Sequence, residues 1–211
     1  MPQASTDHPH DLASANHRSD RIIVSVSARY TLTNRFDSSG KRREFSCRIV
    51  GISPHEMVLS VPVRGTLGER VITNSVEFGK LEGTIGKLFD GGFTLKILTS
   101  NAERAKLAAK IDWHEQAKNR NVADSRAHKR IVPKNPLSTL ILADGSHMGC
   151  FVIDMSVSGV SVSADIDPEV GTPLAVGKVV GQVVRRLPAG FAVKFSEPQD
   201  PDYVEQLIIH T

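Results

Sequence analysis

Residues 148–164 read MGCFVIDMSVSGVSVSA, and residues 45–61 read FSCRIVGISPHEMVLSV. Laid over one another without a gap, they align Cys47 with Cys150, Ile52 with Met155, Ser53 with Ser156 and Leu59 with Val162. The same offset carries Gly68 onto Gly171. After a shortening of five residues, GTIGKLFDGGFTLKI (Gly83–Ile97) lies over GQVVRRLPAGFAVKF (Gly181–Phe195). This matches Gly83 with Gly181, Lys87 with Arg185, Gly92-Phe93 with Gly190-Phe191 and Lys96 with Lys194. Upstream, HRSDRII (17–23) lies over RAHKRIV (126–132). One structural unit therefore occurs twice, and a search for such repeats precedes any motif because it decides the architecture.

The repeated unit is mostly strand. Val160, Val162 and Ala164 alternate with serines, and Met57, Leu59 and Val61 recur at the same period of two expected of half-buried strands. Turn signals separate these runs: Ser39-Gly40, Asp90-Gly91-Gly92, Asp144-Gly145, Asp167-Pro168 and Pro188-Ala189-Gly190. Short strands so spaced predict a small closed or nearly closed β-barrel. A helical stretch follows each one. NAERAKLAAKI (Asn101–Ile111) offers Asn101 as an N-cap, and PDYVEQLII (Pro201–Ile209) places Val204, Leu207 and Ile208 at helical spacing. The expected organisation is a mainly β chain: a polar disordered tail (1–16), a first barrel (17–112), a linker (113–125) that can open as an extension of the first helix, and a second barrel (126–211), each barrel followed by a helix.

At 211 residues and 40% apolar, the chain has material for two small cores. The net charge of +3 excludes little, but its distribution is uneven. Residues 17–43 hold seven Lys and Arg against two Asp, and residues 118–134 hold six against one, so each copy opens on a basic block. Cys47 and Cys150 are too few for a disulfide framework and lack zinc-ligand spacing, which suits a reducing, cytoplasmic setting. No early charged and apolar run reads as a secretory signal, and no segment has the length of a membrane helix, so no membrane insertion is expected.

Two short motifs in the second copy can carry chemistry. Arg126-Ala127-His128-Lys129-Arg130 places two guanidinium groups four residues apart, and Asp154-Met155-Ser156-Val157-Ser158-Gly159 offers a carboxylate, a hydroxyl and a glycine at a strand end. An arginine fork grips a phosphate or the O6/N7 edge of guanine, and a fixed carboxylate accepts from guanine N–H groups. A hydroxyl and a glycine permit close approach by a phosphate or base.

This pair, RxxxR followed by DxSxxG, resembles the PilZ domain, a bacterial β-barrel receptor for cyclic di-GMP. The resemblance extends from Arg126 to about Ile209. It implies that Arg126 and Arg130 contact the guanines and phosphates of cyclic di-GMP, and that Asp154, Ser156 and Gly159 complete the pocket. His128, Lys129 and Arg185 are additional candidate contacts. It also implies a non-enzymatic receptor, without metal or cofactor, that changes its inter-domain arrangement to regulate motility or exopolysaccharide production through an unidentified protein effector. The first copy has His17 in place of Arg126, Gly51 in place of Asp154 and Glu56 in place of Gly159, retaining Arg21 and Ser53. It reads as a degenerate PilZ domain.

Blander roles compete for several residues. The run Lys118–Lys134 also suits a solvated linker, Lys41-Arg42-Arg43 a solvated hairpin tip, and Arg185-Arg186 a solvent-facing hairpin. Cys47 and Cys150 suit small core positions, and Trp113 suits packing at the end of the first helix. His8 and His10 form an HxH pair in the polar tail. The rival function is a protein-interaction adaptor with vestigial motifs. An enzyme lacks a nucleophile–base arrangement here. A nucleic-acid polymer is disfavoured because aromatic residues are only 5% and no aromatic-basic strand motif is present.

Overall fold

The computed structural model describes residues 21–117 and 131–209. The expected polar tail, with His8 and His10, and residues 118–125 of the expected linker lie outside these. The first barrel comprises β1 (Ile22–Phe36), β2 (Arg42–Ile52), β3 (Glu56–Ser60), β4 (Arg70–Ser75), β5 (Gly79–Phe89) and β6 (Gly92–Ile97). Helix α1 (Asn101–Ala117) follows. The second comprises β7 (Leu137–Leu142), β8 (His147–Ser156), β9 (Gly159–Ser163), β10 (Pro173–Val176), β11 (Val179–Leu187) and β12 (Gly190–Phe195), followed by α2 (Val204–Ile208). The two six-strand barrels are closed and share one strand order, β1-β2-β3-β6-β5-β4 and β7-β8-β9-β12-β11-β10.

Alternation builds the cores. Along β1, Val24, Val26, Ala28, Tyr30 and Leu32 point inward, and they meet Phe45, Ile49, Leu59 and Phe93. In the second barrel Leu140, Val152, Val162, Val183 and Phe191 do the same. Cys47 and Cys150 are buried in their respective cores as free thiols. The repeated glycines have a steric cause. A Cβ on Gly83 would lie 2.3 Å from the Lys96 carbonyl oxygen, and one on Gly181 would lie 2.4 Å from that of Lys194. Neighbouring strands approach too closely there for any side chain.

The copies differ where they begin. In the first, β1 runs unbroken from Ile22, which pairs with Ile52. In the second, Ile131 makes a single bridge to Met155, with hydrogen bonds both ways, and the ladder resumes only at Leu137. Pro133 and Pro136 lie between, and neither has an N–H to donate. The ladder is interrupted, and residues 131–136 form a strap across β8.

The helices depart from expectation in three ways. The α1 cap is Ser100 rather than Asn101: Glu103 N donates to Ser100 Oγ (3.3 Å) and Ser100 N donates to Glu103 Oε2 (3.1 Å), a reciprocal capping box. As the linker reading allowed, helix α1 extends into that stretch, to Ala117. Its Leu107 and Ile111 seal the first core, whereas Trp113 is 68% exposed and does not pack the helix end. The spacing explains this, because Trp113 lies two residues past Ile111 and so off the buried stripe. Helix α2 begins at Val204, so Pro201 precedes it by a turn; its Val204 and Ile208 are fully buried.

Strand β2 carries much of the contact between barrels. Ser46 N donates to Ser163 Oγ (3.0 Å), Ser46 Oγ donates to the Ala189 carbonyl (3.3 Å), and Asp165 receives both Arg35 (3.3 Å) and Arg43 (3.2 Å).

Candidate functional site

Strand β8 pairs with β9 and carries a bulge between Val152 and Asp154. Strand β11 pairs with β12 and carries another between Val183 and Arg185. A bulge kinks its strand and re-aims the side chain that follows. Both bulges recur in the first barrel, between Ile49 and Gly51 and between Ile85 and Lys87. They are properties of the repeated unit rather than local accidents.

Between the bulges lies one cross-strand row: Asp154 pairs with Ser161, Ser161 with Ala192, and Ala192 with Arg185. The next row on the same face runs from Ser156 to Gly159 to Lys194. These residues line one open groove of about 290 Å³, to which Ser158 also contributes. Its floor is made of small residues and its two ends are charged. Asp154 and Ser156 are half-buried, and Arg185 and Lys194 are exposed. The structure thus brings Asp154, Ser156, Gly159 and Arg185 together.

Arg126, His128, Lys129 and Arg130 lie outside the described residues. The chain re-enters at Ile131, the residue after the RxxxR segment, and its bridge to Met155 lies between Asp154 and Ser156 in sequence.

Gly159 has a structural reason of its own. A Cβ there would lie 2.6 Å from the Val193 carbonyl oxygen, so β12 presses directly on it. Ser156 Oγ closes the turn by donating to the Gly159 carbonyl at 3.4 Å, a long contact that leaves the hydroxyl available to a better acceptor.

The corresponding row of the first barrel reads Gly51, Val58, Thr94, Lys87. The carboxylate is missing and a valine stands on the floor. Arg21, aligned with Arg130, lies over this site: a Cβ on Gly51 would meet Arg21 Cδ at 2.9 Å, and the guanidinium pairs with Glu56, which replaces Gly159. The arginine of this copy is held by the chain's own carboxylate. Sequence reading identified the loss of acceptors here but not this ion pair, because Arg21 and Glu56 are 35 residues apart.

A second cavity, about 620 Å³, opens between the barrels and is lined by Arg29, Arg42, Arg43, Asp167 and Arg186, among others. Its arginines are largely engaged: Arg29 pairs with Glu44 (2.8 Å), Arg186 with Asp167 (3.2 Å) and Arg43 with Asp165. Arg43 is therefore an inter-barrel contact rather than part of a solvated hairpin tip. The tip expectation erred because the ion partner lies 122 residues away. Among the described residues, no group of three or more His, Cys, Asp or Glu is placed to hold a metal ion, and no helix is long and apolar enough to cross a membrane.

Lys194, Ser158 and Ser161 are groove residues that motif reading passed over. The alignment of Lys96 with Lys194 was the available signal, because it marks the strand that faces Gly159.

Residues 124–210 match the family model of the PilZ domain. The chain is similar at low identity to several solved structures, among them the following three. The PlzA protein of Borreliella burgdorferi in complex with c-di-GMP is 13% identical, with 92% of this chain and 94% of that chain covered and a TM-score of 0.30. The inhibitor of motility MotI/DgrA of Bacillus subtilis is 11% identical, with 89% and 94% covered and a TM-score of 0.27. YcgR of Escherichia coli in complex with c-di-GMP is 14% identical, with 86% and 80% covered and a TM-score of 0.26. No curated protein matches the chain.

Proposed function

We propose that this chain is a non-enzymatic receptor for cyclic di-GMP that binds the dinucleotide in the groove of the second barrel. The observation that carries this reading is the meeting of Asp154, Ser156, Gly159 and Arg185 in one groove, with Ile131, the residue that follows RxxxR in the sequence, bridged to Met155 between Asp154 and Ser156. The PilZ match over residues 124–210 spans both motifs and supports it.

In this reading Arg126 and Arg130 supply bidentate donors to guanine edges and phosphates. Asp154 accepts from guanine N–H groups, and Ser156 donates to a phosphate. Gly159 leaves the close approach open. Arg185 and Lys194 balance the second phosphate from the far wall, and His128 and Lys129 are candidate contacts within the same segment. The first barrel is a degenerate copy whose arginine is satisfied internally by Glu56.

Ligand capture would change the arrangement of the barrels, because the RxxxR contacts exist only in the bound state and so bias one arrangement over another. The output assigned to that change is control of a surface behaviour such as motility or exopolysaccharide production, through a protein effector, in the cytoplasm. The buried free thiols Cys47 and Cys150 suit that reducing compartment.

Calorimetric titration of the full chain with cyclic di-GMP tests the receptor reading. Saturable binding is expected, weakened by Arg126→Ala, Arg130→Ala and Asp154→Ala. No saturable binding at tens of micromolar, or affinity indifferent to these substitutions, would sink it.

A further inference from the structure

Arg48 is the anomaly of the first barrel. It is 3% exposed, a degree of burial rare for arginine. Its Nη1 donates to the Pro133 carbonyl and, at 3.3 Å, to that of Lys134. Its guanidinium lies 5.9 Å from the centre of the Phe151 ring. Among the described residues no carboxylate pairs with it. Burial disfavours its charged form and lowers its pKa, yet an arginine keeps its proton at neutral pH.

All of its partners belong to the second barrel. Pro133 and Lys134 are the centre of the strap, and Phe151 is on β8, three residues before Asp154. The strap is fastened at its ends to the same strand: Ile131 bridges Met155, and Val152 N donates to the Pro136 carbonyl (2.6 Å). Pro133 and Pro136 fix φ at two positions in between. A short, stiff segment is thus tied to β8 at both ends and to the other barrel at its middle, immediately after the RxxxR segment.

We infer that Arg48 is a positioning residue: through the strap it fixes Ile131 against Met155, between the groove residues Asp154 and Ser156, so the first barrel tunes ligand affinity at a groove it does not line. This rests on the receptor reading above. The physics makes the contact close to all-or-none. A buried cation compensated only by two carbonyl dipoles and a ring face is costly once either is withdrawn. Displacing the strap therefore requires Arg48 to be rehydrated, which in turn disturbs the packing of β2 against β8. A contact with two discrete states is what couples distant sites. Coupling is also reciprocal: if the Arg48 contact strengthens ligand binding, ligand must strengthen the Arg48 contact by the same factor.

The test uses the full chain and two variants. Arg48→Met keeps the aliphatic stem and volume without the charge, and Arg48→Lys keeps the charge but not the fork. Titration with cyclic di-GMP should show the dissociation constant raised at least about fivefold in Arg48→Met, with a smaller rise in Arg48→Lys. Hydrogen exchange supplies the readout that a purely structural arginine would not move. Ligand should slow exchange of β2 amides around Arg48 in the wild type and fail to do so in Arg48→Met. Without ligand, the Ile131 and Met155 amides should exchange faster in Arg48→Met. If Arg48→Met fails to fold, the comparison is made between the wild type and Arg48→Lys. Wild-type binding with affinity unchanged in the variants, or β2 protection independent of residue 48, overturns this inference alone. Absence of binding in the wild type removes the receptor reading and this inference together.

Discussion

Asp154 and Arg185 stand at opposite ends of one cross-strand row, each directly after a β-bulge, with only Ser161 and Ala192 between them. The acceptor and one of the cations of the proposed site are thus set apart by strand spacings rather than by loop geometry. A rigid sheet holds them with the floor kept low by small side chains.

Each end of that row should matter for binding, and unequally. Asp154→Ala removes a charged acceptor and is expected to weaken cyclic di-GMP by about 1.5–3 kcal/mol, roughly ten- to a hundredfold. Arg185→Ala, at an exposed position, should cost about 1 kcal/mol or less and should lose part of that effect at high salt. Calorimetry at two ionic strengths checks both; equal, salt-independent losses would contradict the assignment of Arg185 to the groove wall.

Gly159 is expected to be intolerant of a side chain on steric grounds alone. Gly159→Ala forces a Cβ to within 2.6 Å of the Val193 carbonyl oxygen, so the backbone must shift. A loss of about 1–3 kcal/mol follows, visible as a lowered thermal midpoint. Gly149→Ala, on the neighbouring strand β8, meets nothing within 4 Å and is the control. It should stay within about 0.5 kcal/mol of the wild type.

The Arg21–Glu56 pair predicts a stoichiometry. Its side chains are 36% and 23% exposed, so Glu56→Gln should lower stability by no more than about 1 kcal/mol. It should not create a second ligand site, because the row still lacks a carboxylate at Gly51 and keeps Val58 on its floor. Titration should give the same number of ligands per chain as the wild type; an added site would show that Glu56 alone blocked the first barrel.

The capping box makes the start of α1 sensitive to acid. Hydrogen bonds from Ser100 and then Thr99 hold the Glu103 carboxyl below the ordinary glutamate range. A depressed folded-state value contributes stability above the unfolded-state pKa, and that contribution is lost as pH falls through the folded one. The first turn of α1 should therefore loosen below the ordinary glutamate range. Glu103→Ala should abolish this pH dependence, read from the Ser100 and Glu103 amide signals by NMR.

Thiol chemistry should report core integrity. Burial pushes the Cys150 thiol up to about 12 and raises that of Cys47 further. Neither is a thiolate at pH 8, and both are 1% exposed. Native protein should resist iodoacetamide, with both thiols reacting only in denaturant. Rapid labelling of one thiol in native protein would show that its barrel opens independently.

Much of this molecule was readable from local pattern. Two-residue alternation, as in Val160, Val162 and Ala164, reports which face of a strand is buried, and glycines such as Gly83 and Gly181 recur because the strands they oppose come too close for a side chain. Both are properties of short segments, and the double barrel followed from them. The DxSxxG stretch could be placed at a strand end for the same reason.

Other features depended on which segments meet. The bulges that aim Asp154 and Arg185 are differences in register between paired strands. Trp113 suits packing by its position near the end of a helix, but its exposure depends on which face of α1 meets the barrel, and that face is the one with Leu107 and Ile111.

The sequence by itself determined that this protein is two copies of one β unit, and that only the second carries both RxxxR and DxSxxG, because alternation, turn chemistry and motif spacing are encoded locally. Only the tertiary structure decided that Glu56 occupies Arg21, that Arg43 turns to Asp165, and that the buried Arg48 holds the strap of the other barrel. Those partners lie 35, 122 and 85 residues apart. A charged side chain does not reveal its partner over such separations; closure and packing of the barrels bring the pairs together, and desolvation then makes the contacts matter.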